Sequence, residues 1–284
     1  MPEPQTLAPH GTAAESAIGV FDSGVGGLSV LQELQRELPH ERFVYVSDAG
    51  HAPYGEKDDA AVLERSRHIT QYLRVHHRIK ALVVACNTAT AAAIGTLRSC
   101  YPELPIVGIE PAIKPALASS QTGHVGVMAT RGTLASQKFK ALVTSLPPNG
   151  HLALQACDGL ANAIERNDTI KTEALCAQYM RAMGTFGLNN GDIDTLVLGC
   201  THYPFAQHIL RRFTGPEVRF LEGGAPVARQ TRRLLETAGL LSYQTMAGST
   251  QFLTSGETAP LAEAIERWLH LTATVGSLPA EQAV

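Results

Sequence analysis

Two cysteines of this chain stand in matching surroundings. Cys86 ends the run Leu82-Val83-Val84-Ala85-Cys86 and is followed by Asn87-Thr88-Ala89-Thr90. Cys200 ends Leu196-Val197-Leu198-Gly199-Cys200 and is followed by Thr201-His202-Tyr203-Pro204. A single such thiol would say little, because free cysteine is often a small buried hydrophobe. Two on matching scaffolds suggest two sulfurs facing one substrate from opposite sides. A thiolate on one side can take the α-proton of an amino acid while a thiol on the other supplies a proton to the opposite face, so the product is the mirror image. Such acid–base work needs the two groups in opposite protonation states. Asp22, at the end of a strand that could neighbour the Cys86 strand, and His202, two residues from Cys200, are placed to assist.

The elements that must position these residues can be read outward from them. Each cysteine closes an apolar, β-branched run and precedes residues able to cap a helix, which reads as a buried strand followed by a helix. The thiol then lies at the carboxyl end of a strand, where open α/β sheets bind ligands. It also faces a helix N-terminus, which favours a thiolate or a bound carboxylate. Upstream, Ile18 to Phe21 is a strand, Asp22-Ser23-Gly24-Val25-Gly26-Gly27 a turn, and Leu28, Leu31, Leu34 and Leu38 fall at helical spacing. The glycines would let backbone N–H groups approach an anion. The turn is neither G-x-G-x-x-G nor a Walker motif, so a small carboxylate suits it better than a dinucleotide. Asp22 and Ser23 are either ligand-facing or only a turn and cap pair. Pro53-Tyr54-Gly55 is either a rigid turn closing over a ligand or surface packing.

The pattern restarts at Val125-Gly126-Val127-Met128, 107 residues after Ile18-Gly19-Val20-Phe21, and the two cysteines are 114 apart. Similar offsets in the same order argue for a duplicated α/β unit. Helices are expected over 58–75, 89–97, 171–183, 225–238 and 261–269, with one beginning at Leu134 and another after Cys200. Further strands are expected over 43–46, 106–109, 152–157, 218–221 and 252–254. The expected organisation is a floppy extension over 1–17, a first domain over 18–113 plus 222–270, a second over 114–221, and a tail over 271–284.

Composition sets the bounds. The chain has 284 residues, 44% hydrophobic and 17% charged, with a formal net charge of −3. A packed core is expected, while nucleic acid and anionic membrane are poor partners for this charge. No apolar run approaches the roughly 20 residues of a membrane span. Five cysteines without a C-x-x-C argue against a disulfide framework or structural zinc, and for reduced thiols and a cytoplasmic setting. Cys100, Cys157 and Cys176 read as buried small hydrophobes. Met1 to Ala17 lack the basic start and apolar core of a signal peptide.

Five motifs resemble glutamate racemases, in family order: Ile18 through Leu28, Pro53-Tyr54-Gly55-Glu56-Lys57, Ala85 through Thr90, Val107-Gly108-Ile109-Glu110-Pro111 and Leu198 through Pro204. Phe252 through Gly256 resembles the family's C-terminal strand. The resemblance covers about Ile18 to Leu269. It implies two pseudo-symmetric α/β domains, each with a mostly parallel sheet flanked by helices, and a site in the cleft between them. It implies interconversion of L- and D-glutamate without pyridoxal phosphate or metal, supplying D-glutamate for peptidoglycan. Cys86 and Cys200 would be the acid/base pair, Asp22 would assist the first and His202 the second, with Glu165 near Cys200. Asp22, Ser23, Tyr54, Gly55, Asn87, Thr88, Thr130, Thr201 and His202 match substrate-binding positions. A homodimer and a cell-wall precursor as activator are further expectations. The chain departs from the family at Ala49-Gly50-His51-Ala52 and over Cys157 to Glu165, where the family is more apolar and proline-bearing.

Aspartate or hydantoin racemases share the fold and the cysteine pair, but the Asp22-Ser23-Gly24 and Cys200-Thr201-His202 wording favours glutamate. A thiol redox sensor or non-catalytic ligand module would leave function intact in Cys86→Ala and Cys200→Ala. A cysteine hydrolase would leave the second cysteine unexplained.

Overall fold

Both runs that end in a cysteine are central strands of parallel sheets, buried on each face, which is why they are continuously apolar rather than alternating. The computed structural model describes residues 13–147 and 150–279. β1 (Ile18–Asp22), α1 (Leu28–Glu37), β2 (Phe43–Ser47), α2 (Asp59–His77), β3 (Ala81–Val84), α3 (Asn87–Cys100) and β4 (Ile106–Gly108) begin the first sheet. After α4 (Ile113–Ser119), the second sheet and its helices are β5 (His124–Ala129), α5 (Arg131–Ala135), α6 (Gln137–Thr144), β6 (His151–Ala156), α7 (Leu160–Glu165), α8 (Thr169–Met183), β7 (Thr195–Gly199), α9 (Gln207–Thr214) and β8 (Arg219–Leu221). The chain then returns to the first sheet through α10 (Gly224–Ala238), β9 (Thr250–Thr254), α11 (Thr258–Leu269) and β10 (Val275–Ser277).

The first sheet runs β10-β9-β2-β1-β3-β4 and the second β6-β5-β7-β8. Each strand pairing is parallel. The block β2-β1-β3-β4 repeats as β6-β5-β7-β8, and its register repeats too. Ile18 pairs with Ala81 and Val125 with Thr195, and the partners are 114 residues apart, the same interval that separates the cysteines. Each cysteine is therefore five residues beyond an equivalent pairing, at the carboxyl end of an equivalent strand.

Helices cover both faces of the first sheet, giving one core around Val20, Leu31 and Tyr45 and another around Phe21, Ile69 and Leu82. The second sheet is covered likewise, around Leu196 and Tyr203 on one face and Val127 and Phe139 on the other.

The structure departs from the sequence reading in several places, one of them Cys100, expected to be buried but exposed at the end of α3. The segment expected as a C-terminal tail carries β10, which pairs with β9 at the sheet edge; three residues with a central glycine are too few for a periodic signal. Residues 1–12 of the expected extension lie outside the described residues, while Ala14 and Ala17 are already buried and Lys80 Nζ donates to the Ala14 carbonyl at 2.5 Å. The helix expected from Leu134 is two, broken at Ser136, whose hydroxyl accepts the Phe139 N–H at 3.1 Å and caps α6. The two cysteine segments also part company after the sulfur. Cys86 caps α3, its carbonyl accepting the Thr90 N–H at 2.8 Å. Cys200 is instead followed by a turn and a 3₁₀ segment, Tyr203–Ala206, before α9. The equivalent bond from residue 204 cannot form because Pro204 has no N–H.

Candidate active site

The carboxyl ends of β1 and β3 face those of β5 and β7 across a cleft with an empty volume of about 640 Å³, open solvent at its mouth included. Both sulfurs are on its wall, with Cys86 and Cys200 5% and 6% exposed. The two lie within range of each other's charge, and they come from opposite sheets.

Cys86 Sγ accepts the Ala89 N–H at 3.4 Å, as the helix cap of α3, and lies 3.8 Å from Ser23 Oγ. Burial pushes its thiol well up, and the Asp22 charge adds to this; the Ala89 N–H opposes both. These surroundings favour the protonated thiol at Cys86.

Cys200 Sγ lies 3.8 Å from His202 Nδ1, and His202 Nε2 donates to Glu165 Oε2 at 2.7 Å. Burial lowers the His202 pKa, but its bonds to Cys200 and Glu165 outweigh burial and raise it well above the usual imidazole value. An imidazolium beside Cys200 stabilises negative charge on that sulfur. The departure from the family's wording over 157–165 thus leaves Glu165 at His202.

Asp22 is fully buried behind the glycine turn and is not among the cleft-lining residues. Its Oδ2 accepts the N–H groups of Gly24 and Gly27 at 3.2 and 2.8 Å, and Thr201 Oγ1 donates to Oδ1 at 3.5 Å. Burial raises its pKa, opposed by the His202 charge and the Gly27 N–H. Tyr54 does line the cleft, but its hydroxyl donates away from it to Asp48 at 2.6 Å, and Arg65 pairs with the same carboxylate at 2.9 Å.

Ser23, Gly55, Asn87, Thr88, Thr130 and Thr201 are also on the wall. Both amide atoms of Asn87 are buried without a protein partner, so a ligand in the cleft would relieve an unmet hydrogen-bond demand. Thr130 and Thr88 bring their hydroxyls to 3.1 Å across the two sheets.

The structure adds wall residues that the sequence reading did not single out as site residues: Arg131, Cys157, Asp158 and Asn162 among them. Cys157 is buried, as expected, yet it also borders the cleft. Arg131 and Asp158 pair on the rim. Arg131 directly follows Thr130 beyond β5, and Cys157 directly follows β6, so the strand ends were the available signal. Among the described residues, no three His, Cys, Asp or Glu side chains gather as a metal site.

Residues 18–231 match the profile of the Asp/Glu/hydantoin racemase family. The chain belongs to this family. Within the family, a glutamate racemase of Ectopseudomonas mendocina is 46% identical over 246 residues, covering 86% of this chain and 91% of that one. One from Pseudomonas entomophila is 47% identical over 242 residues, covering 84% and 89%. Among solved structures, a glutamate racemase isoform of Bacillus anthracis superposes with a TM-score of 0.82 at 32% identity, over 94% of this chain and 98% of that one. The Escherichia coli glutamate racemase bound to L-glutamate and the activator UDP-MurNAc-ala gives 0.76 at 30% identity, over 93% and 98%.

Proposed function

We propose that this chain is a glutamate racemase that works by two-base proton transfer, without a cofactor. The observation that carries the reading is the pair of thiols at equivalent strand ends on opposite sides of one cleft, in unlike surroundings. Burial and a nearby carboxylate keep Cys86 protonated, while His202 supports negative charge on Cys200. Inversion requires the two groups in opposite states, and their unlike surroundings suit that division of roles. In one direction Cys200 removes the α-proton of one enantiomer and Cys86 gives its proton to the other face. The reverse reaction exchanges these roles.

The Asn87 amide, the Ser23 hydroxyl and the Thr88, Thr130 and Thr201 hydroxyls supply the polar groups that would hold the ammonium and carboxylates of glutamate. Identity of 46% and 47% to glutamate racemases over most of the chain supports glutamate over aspartate or a hydantoin. D-glutamate for peptidoglycan is the proposed end use, and a cytoplasmic location and homodimeric assembly accompany it. A cell-wall precursor is the candidate activator, since the Escherichia coli relative was solved with one.

The test is incubation with L-glutamate in D₂O. Optical activity should be lost as deuterium enters the α-carbon, and Cys86→Ala or Cys200→Ala should each slow this by a factor of about 10² to 10⁴, the usual worth of general acid–base catalysis. Turnover of aspartate alone, or full activity in either variant, would overturn the proposal.

A further inference from the structure

We propose that the glycine turn of the first sheet is a positioning device for the Cys200 side of the site, with Gly24, Val25, Gly26 and Ser29 as the positioning residues. This rests on the racemase reading above. The Glu165–His202 pair behind Cys200 belongs to the second sheet, but one of its anchors does not. Glu165 Oε2 accepts the Val25 N–H at 2.9 Å from one side and the His202 N–H at 2.7 Å from the other. A single carboxylate oxygen thus joins the imidazole to the backbone of the opposite sheet.

The flanking glycines are there for close approach rather than for their backbone angles. Neither Gly24 nor Gly26 is among the residues with positive φ. A methyl group on Gly24 would fall 2.6 Å from Glu165 Oε1, and one on Gly26 would fall 2.6 Å from His202 Cε1 and 2.7 Å from Thr201 Oγ1. These are side-chain rather than backbone atoms, so the added methyl group would displace side chains. The displaced atoms are those that back Cys200.

The turn is itself held from behind. Tyr45 Oη donates to the Gly24 carbonyl at 2.7 Å, and Asp22 accepts the N–H groups of Gly24 and Gly27. The Ser29 hydroxyl lies 2.9 Å from the Gly26 carbonyl and 3.0 Å from the Thr201 carbonyl, so it spans from the turn to the residue between Cys200 and His202. The Cys200 relay is complete only with the two sheets apposed as seen here.

Gly26→Ala and Ser29→Ala test this, the second removing only a hydroxyl in case the first folds poorly. In wild-type and variant protein, primary deuterium isotope effects would be measured with α-deuterated L- and D-glutamate. Impairing one of two bases makes its own proton abstraction more rate-limiting. The isotope effect should therefore rise for one enantiomer and fall for the other, with kcat down about tenfold or more in Gly26→Ala. Parallel or unchanged isotope effects would overturn the proposal.

A second readout needs no turnover. Iodoacetamide labelling mapped by mass spectrometry should show Cys200 alkylated about tenfold more slowly, as for a tenfold smaller thiolate fraction, with Cys86 unaffected. Equal changes at both cysteines, or none, would sink the positioning role. Failure of wild-type protein to racemise glutamate would instead sink the reading of function, and the labelling would still decide the role of the turn.

Discussion

Two cysteines that look alike in sequence are made unlike by what each touches. Cys86 has a helix N–H and a buried carboxylate nearby; Cys200 has an imidazole in hydrogen-bond contact with a second carboxylate. Because the folded pKa of His202 is raised, its proton stabilises the fold. That contribution is fully present below the unfolded imidazole value of about 6.5 and is lost as pH rises through the elevated folded value. The melting temperature of wild type relative to His202→Gln should therefore be most favourable at about pH 6 and fall as the medium is made alkaline, as thermal melts across pH would show. A gap that widens toward alkaline pH would contradict the assigned charge. At this scale, the cysteine pair, His202 and the polar residues after each cysteine were legible in the sequence because each follows its strand directly. The links from Glu165 to His202 and from Glu165 to Val25 span 37 and 140 residues, and no local pattern encodes them.

Among the elements, the strands and most helices follow from apolar periodicity, and the equivalent positions of Cys86 and Cys200 follow from the repeated strand order. What separates them is the next residue that must donate to the cap carbonyl: Thr90 does so for Cys86, and Pro204 cannot for Cys200. Helix starts also tie the sheets together. Thr130 caps α5 by accepting the Thr133 N–H at 3.2 Å, while its hydroxyl meets Thr88 from the other sheet. Thr130→Ala should cost about 1 kcal/mol as a lost cap in denaturant unfolding, and raise KM for glutamate more than it lowers kcat. An unchanged KM would mean that Thr130 serves α5 alone.

At the scale of the whole molecule, the first sheet is closed at its far end by chain that leaves and returns. Lys80, just before β3, pairs with Glu41 at 2.5 Å with both side chains buried, and Glu41 also accepts the Ser242 N–H at 2.9 Å. Lys80→Met would leave a buried carboxylate unpaired, which typically costs about 3–5 kcal/mol. The expected outcome is a clear loss of stability in urea unfolding with KM for glutamate unchanged, because the pair joins Ala14, β3 and the segment before β9 rather than the cleft. A shift in KM would show that this end of the sheet is coupled to the site.

The sequence by itself determined the parallel strands, the duplicated unit and the two thiols at strand ends, because each is written in residues adjacent along the chain. It also carried the family, through short motifs in order. The tertiary structure decided that Asp22 turns inward to hold a glycine turn, that Tyr54 gives its hydroxyl to Asp48, and that Glu165 reaches Val25 and His202 together. Those outcomes depend on which backbone donors lie within about 3 Å of a buried carboxylate, a distance set by the packing of two sheets rather than by spacing along one chain.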